Sequence, residues 1–390
     1  MTSSPPICYL NSNDGTALLA VGEGPFFALS SLEELPLLDA FLTKHRGNYI
    51  FGYLSYSLQS HVIKSSTLNQ RRLPLAYFWV CPEVGEIVSD ELTLVQGSDY
   101  KLLEDLYSQL RTAGALTLPE FTPSLSQAEY LNRIDTIKSL IQRGDLYETN
   151  FCFNYTLNVL NLRDPFSLYQ RVNERTKAPF SALLCLDHIW LACGSPERFL
   201  KKTGNTLISQ PIKGTAPRHQ DPSLDAFSKT ALLNSPKERS ENVMIVDLVR
   251  NDLSKIALPG TVNVDELFGI YSFPTVHQMI STIRCQVDPN LPFSKIITAT
   301  FPMGSMTGAP KRNALRYMNA MEPFTRELYS GSVGYFTPEG DFDFNVVIRS
   351  LEYYPQECLL QCGVGSAITI EADAAQEYEE CQLKIERLIH

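Results

Sequence analysis

Hydrophobic positions change period several times along the chain. Ser126 and Glu129 form an S-x-x-E pair, after which Tyr130, Ile134, Ile137 and Ile141 recur at helical spacing up to Gly144. The pattern predicts a capped helix ending at a glycine able to adopt the left-handed conformation. Directly after it, Phe151, Phe153, Tyr155, Leu157 and Val159 alternate with smaller or polar residues, which predicts a strand with one face in a core. A second capped helix is expected from Ser235, with Pro236 in its first turn and Glu238 completing a box, through "KERSENVMIVDLVRNDL". A third follows "GAPKRNALRYMNAME", with Pro310 in the first turn, and a last one covers "AAQEYEECQLKIERLI". Apolar β-like runs lie between them, notably "FNVVIRSLEYY" and "CLLQCGVGSAITI". The first ~120 residues read as short strands and turns, and the proline-bearing segment 113–126 is the best candidate for a linker. Interleaved strands and helices give the fold class α/β or α+β with large sheets.

Composition narrows the function more than the fold. At 390 residues, length alone suggests two or three domains, and 44% apolar content excludes wholesale disorder. With 33 Lys and Arg against 43 Asp and Glu, the net charge of -10 disfavours nonspecific nucleic-acid binding. The start lacks a basic segment followed by an apolar run, and no stretch of about 18 apolar residues occurs, so neither a signal peptide nor a membrane span is expected. Nine scattered cysteines without CxxC spacing read as reduced thiols of a cytoplasmic protein, and the six histidines form no HExxH zinc motif.

Several residues could carry chemistry. Lys213 stands in "SQPIKGTAPR". A free lysine has a pKa near 10.4, so a nucleophilic role requires burial or cationic neighbours, the alternative being a surface lysine in a polar loop. Glu197, in "SPERFL", is either a salt-bridge partner or a proton donor. Glu241 shares a helix face with Ile245 and Leu248, which is costly for a carboxylate unless it is paired or metal-bound. Glu377 and Glu380 lie one turn apart; Glu380 suits an i, i+4 pair with Lys384, or a magnesium site shared with Glu241. "GSMTGAPK" and "CGVGSA" could admit an anion to backbone amides, although the former is not a P-loop. Arg349 is a natural fork for a carboxylate, and His277, taken alone, reads as a core or surface histidine.

The segments "GDLYETNF", "SPERFL", "PIKGT", "RSENVMIVDLVRNDL", "PTVHQM", "FPMGSMTGAPK", "GSVGYF", "DFNVVIRS", "CGVGSAI" and "EYEECQLK" occur in this order. Together they resemble the chorismate-utilising enzyme family over roughly residues 125–390, with a weaker likeness in residues 1–120. The resemblance implies one large unit over 1–390, in which two antiparallel sheets pack face to face with helices outside; 113–126 then becomes an internal loop. Members that add water carry a lysine base in the segment matching "GDLYETNF"; none stands here, which favours amination. A lysine in "PIKGT" implies a covalent route to the 4-amino product on the way to 4-aminobenzoate and folate, with anthranilate formation, or a catalytically silent binding or regulatory relative, as the alternatives.

The resemblance further implies Mg²⁺ held by Glu241 and Glu380, with Glu377 nearby. It implies Lys213 as nucleophile, Glu197 as general acid, and His277 near the reacting ring. Arg349 and amides near Gly363 and Gly365 would hold the enolpyruvyl carboxylate. Thr215, Thr307, Tyr335 and Lys311 complete the expected substrate-binding set, and Met303 departs from a glycine common in relatives. No glutaminase motif is present, so ammonia is expected from a separate glutamine amidotransferase subunit.

Overall fold

The computed structural model describes residues 5–62, 71–114, 116–159 and 162–389. Two antiparallel sheets carry the architecture. The first has eleven strands. Its main path runs Gly308–Ala309, Glu148–Asn158, Leu359–Ile368, Ser350–Tyr354, Ile189–Ser195, Phe180–Leu186, Ile7–Asn11, Thr16–Val21, Glu83–Val88 and Glu91–Gln96, and Thr122–Pro123 adds a stub beside Glu148–Asn158. The second has ten. Its path is Ile212–Pro217, Val276–Gln286, Thr206–Gln210, Arg198–Thr203, Phe342–Asn345, Ser332–Phe336, Ile50–Leu54, Ala76–Val80 and Phe26–Leu29, with Asn263–Ser272 also on Val276–Gln286. Both sheets therefore take strands from the two halves of the chain.

The cores explain the layering. Cys8, Ala20, Leu184 and Leu191 from the first sheet meet Phe51, Tyr53 and Trp79 from the second, so the sheets pack against each other. On the first sheet's outer face, Tyr130, Ile134, Ile137 and Tyr378 of two helices cover Phe151, Phe153 and Val364. On the second's, Ile245, Val249 and Leu253 of the helix Pro236–Ser254 cover Phe199, Leu207 and Ile283. Each fully buried side chain of this kind contributes ~1.5–3 kcal/mol. Two sheets face to face with helices outside is the expected architecture.

Local departures have physical causes. The first capping box forms in full, opening the helix Gln127–Gln142. The second forms by half: Ser235 accepts from the Glu238 amide, but the Glu238 carboxylate turns towards Gly214. Pro310 caps its helix, Lys311–Met321, from outside the first turn. The strand Glu148–Asn158 is buried on both faces through Tyr155, because helices cover one side and the second sheet's elements the other. "FNVVIRSLEYY" is two strands, Phe342–Asn345 and Ser350–Tyr354, separated by a break at Arg349, whose φ is 52°. In 113–126, Leu118, Phe121 and Leu125 are buried in the first core, so this segment packs against the first sheet's core; residue 115 lies outside the described residues.

Within the fold, Glu352 is fully buried and accepts a 2.5 Å hydrogen bond from the Tyr354 hydroxyl. Burial pushes its carboxyl up to about 8, and nearby Glu327 is pushed up to about 7 for the same first reason. Between the ordinary value of 4.5 and about 8 the folded chain keeps a proton on Glu352 that the unfolded chain releases. Raising pH through that window therefore favours unfolding. Denaturation midpoints should fall from pH 6 to pH 8.5, and Glu352→Gln should flatten that fall; an unchanged slope in the variant would refute the assignment.

Candidate active site

Lys213 owes its position to a β-bulge. The strand Ile212–Pro217 pairs Ile212 with Ile280 and then Thr215 with Gln278, so Lys213 and Gly214 occupy the extra step. Gly214 has φ 94°, a conformation that glycine adopts without strain. Bulges of this kind re-aim a side chain at a sheet rim. Here the Lys213 amine leaves its own sheet and donates to Glu148 Oε1 of the other at 2.8 Å, with Glu241 Oε2 at 4.0 Å. Burial alone would push the Lys213 ammonium down; Glu148, Glu241 and Glu197 outweigh it and hold the group above its usual value.

Glu148 opens the strand Glu148–Asn158 and pairs with Ala309. Gly308 crosses so close that a Cβ there would meet the Thr149 Cα at 2.7 Å. The residue was not singled out in the sequence, where the alternation predicts a single buried face; its burial appears only in the structure. Arg326 was missed as well. It is 2% exposed, donates to Glu322 Oε2 at 2.8 Å, Met306 O at 2.8 Å and Asn150 O at 3.1 Å, and so ties the 304–306 turn to the Glu148 strand.

Glu197 is 4% exposed, just before the strand Arg198–Thr203. Burial pushes its carboxyl up to about 7, opposed by the nearby Ser305 hydroxyl, Lys213, the Ile212 amide and Arg349. Glu197 thus shares its surroundings with both cations. Arg349 makes no ion pair or side-chain hydrogen bond among the described residues, and its backbone is pinned to the adjacent strand by the Gly194 amide at 3.0 Å. Burial, then Arg387, pull its guanidinium below the usual range.

The break at Arg349 also frees main-chain donors. The ladder between Ser350–Tyr354 and Leu359–Ile368 ends at the pair Glu352–Gln361. On the other side, Cys152 and Asn154 stand opposite Gly365 and Gly363, but their amides go to Glu322 and Ser124. The N–H groups of Gly363 and Gly365 therefore face the side on which the ladder to Ser350–Tyr354 has already ended. Both positions need glycine: a Cβ at Gly365 would meet Cys152 Sγ at 2.5 Å, and one at Gly363 would enter the Tyr329 ring.

The acidic residues divide between two helices. Glu241 lies on Pro236–Ser254, buried, and is pushed up to about 7 by burial first, against Lys213, with Glu148 and Glu238 adding to the rise. Glu377 lies on Ala374–Ile389 and faces Lys237 at 3.8 Å; burial and Glu380 raise it. Glu380 is exposed and pairs with Lys384 at 2.8 Å, the i, i+4 arrangement. Among the described residues no three His, Cys, Asp or Glu side chains converge as a metal cage. Mg²⁺ requires only one or two carboxylates beside water and substrate oxygens, and buried carboxylates that raise one another's pKa are suited to a hard cation.

Four expected binding or catalytic residues have partners inside the protein. His277 is fully buried, with its ring nitrogens on Ser272 Oγ at 2.8 Å and Asp225 Oδ1 at 3.0 Å. Lys311 uses its three donors on Asp252, Thr300 O and Pro302 O, and fastens the loop before its helix. Thr307 is buried and directs its hydroxyl to Met303 O and Gly304 O. Tyr335 packs with Tyr49 and Phe51 in the aromatic layer beside Asp343, and Tyr329 lies against Gly363. Thr215 is exposed two residues beyond Lys213 on the same strand. Met303 is buried in the core over the second sheet.

The class follows from the layers. Anthranilate synthase component I from Streptococcus pneumoniae TIGR4 shares the fold with a TM-score of 0.77 at 20% identity, covering 100% of this chain and 91% of that one. A family model described as chorismate binding enzyme matches residues 20–390, and the chain belongs to that family. Among curated relatives, aminodeoxychorismate synthase component 1 of Klebsiella aerogenes is 37% identical over 68% of this chain. The protein of that name from Bacillus subtilis (strain 168) is 30% identical over 84% of this chain. This chain spans 58% of the length of the first and 73% of the second.

The tight contact at Gly363 can be tested directly. Gly363→Ala forces a methyl into the Tyr329 ring and should destabilise the fold by about 1–3 kcal/mol in chemical denaturation, as overpacking does. A neutral substitution would mean that the ring moves freely.

Proposed function

We propose that this chain is an aminodeoxychorismate synthase subunit, replacing the 4-hydroxyl of chorismate with an amino group from ammonia to give 4-amino-4-deoxychorismate, a precursor of 4-aminobenzoate and folate. The observation that carries this reading is the bulge-borne Lys213, largely buried and aimed at Glu148 within a chain of the chorismate-binding family. The name shared by the curated relatives supports it.

Chorismate carries two carboxylates. Arg349, with the free amides of Gly363 and Gly365, is suited to the enolpyruvyl carboxylate. Glu241, with Glu377 and Glu380, would hold Mg²⁺, which when bound draws charge from the ring through the second carboxylate. Thr215 stands beside the nucleophile, free to contact the ring. The Lys213 ammonium first passes one proton to Glu148, and the free amine then attacks the carbon beside the carboxylate-bearing ring carbon. The double bonds shift, the 4-hydroxyl departs, and protonated Glu197 supplies the proton that makes it water. Ammonia then attacks the carbon the hydroxyl left. The double bonds shift back, and the bond to Lys213 breaks. Lys213 regains its proton from Glu148, and the new ammonium returns one to Glu197. The sum is chorismate plus ammonia giving the amino product plus water.

The relatives' designation as component 1 supports a second component, here a glutamine amidotransferase supplying ammonia. All nine cysteines are unpaired, which fits a reducing, cytoplasmic setting. No helix among the described residues is long and apolar enough to cross a membrane. Strands of each sheet come from both the N-terminal region and residues 125–390, which supports one catalytic unit over 1–390.

The purified chain with chorismate, Mg²⁺ and ammonium chloride should form a nonfluorescent amino product that aminodeoxychorismate lyase converts to 4-aminobenzoate. Fluorescent anthranilate instead would overturn the reading. Lys213→Ala should remove any covalent adduct seen by intact mass and lower product formation; an equal rate would exclude the nucleophile. Because Glu197 acts as the protonated acid, kcat at fixed free ammonia should fall as pH rises through about 7. Glu197→Gln should lower kcat about 10²–10⁴-fold and lose that limb; retention of the limb would assign it elsewhere.

A further inference from the structure

Glu148 uses only half of its carboxylate. Oε1 accepts the Lys213 amine at 2.8 Å, whereas Oε2 is buried with no hydrogen-bond partner among the described residues. The side chain is 2% exposed, so bulk water does not serve it. An unmet buried acceptor on a charged group is costly, and a working site supplies a donor to it. The neighbours do not. Glu241 shares the pocket as a further acceptor, and Lys213 is already bound to the other oxygen. Nor can the oxygen readily swing away. Glu148 pairs with Ala309, its strand is pressed by Gly308, and the next hydroxyl, of Thr149, is bonded to Thr307 O at 3.3 Å.

The proposed reaction brings two amines to the ring, at the two carbons that flank the ether-bearing one. The two oxygens of a carboxylate likewise flank a single carbon. We propose that Glu148 is the ammonia-binding residue of this site: Oε1 aims Lys213 at one ring carbon, and Oε2 accepts an N–H of ammonia poised for the other. This rests on the amination reading above. Among the polar groups of the site, Arg349 is a pure donor and cannot accept from ammonia. Glu197 is committed to the hydroxyl, and Glu241, Glu377 and Glu380 to the cation.

The test is steady-state kinetics with ammonium chloride as the nitrogen source, varying ammonium and chorismate separately. Glu148→Ala should raise KM for ammonia about tenfold or more, the loss of one charge-assisted hydrogen bond, with KM for chorismate within about twofold. Glu148→Gln keeps one acceptor oxygen and the side-chain shape; it should show a smaller rise in the same constant and covers the case in which the alanine variant fails to fold. An unchanged KM for ammonia in a folded variant, or equal rises in both constants, would overturn the proposal and leave Glu148 as a support for Lys213 alone. Failure of the wild-type chain to aminate chorismate is a different result, and it would sink the functional reading itself.

Discussion

A lysine from one sheet is held by a carboxylate from the other, and this contact sets what the space around it can be. Lys213 and Glu148 are both largely buried and 2.8 Å apart. Pairs of this kind add little net stability over an apolar pair, yet removing one partner typically costs 3–5 kcal/mol because the other charge is left bare. Such a pair registers the two layers instead of merely gluing them. The bulge at Lys213–Gly214 and the close crossing at Gly308 then read as devices serving one distance.

Around this pair the carboxylates outnumber the cations. Glu148, Glu197 and Glu241 crowd one ammonium, and burial lifts two of them to about 7. One environment thus yields a group able to give a proton near neutrality and others suited to a cation. The differences arise from neighbours and not from residue type.

Much of this was legible in the sequence where a local pattern has a local cause. The capping box at Ser126, the last helix and an α/β or α+β class with large sheets follow from local pattern, and the face-to-face layering from the family resemblance. Lys213, Glu197, Glu241 and Arg349 could be marked from their segments. Periodicity could not show that "FNVVIRSLEYY" breaks at Arg349, because an apolar run looks the same whether it continues or turns. Nor could it show Glu148 or Arg326, whose partners lie 65 residues away in Lys213 and 176 in Asn150. The family resemblance implied His277 near the reacting ring and Tyr335 and Lys311 in the substrate-binding set; it could not show the internal partners that each of them has.

The ladder between Ser350–Tyr354 and Leu359–Ile368 stops at Gln361, short of Gly363 and Gly365, and leaves their amides facing Arg349's side of the sheet. Half of the proposed anion cradle is consequently written in ladder length and not in side-chain identity. Exchange of a side chain cannot delete a backbone N–H, save by proline. A lineage could drift widely in the surrounding residues and keep these donors, while extending the ladder by two residues, to Ser350 opposite Gly363, would claim the first of them with every side chain still in place.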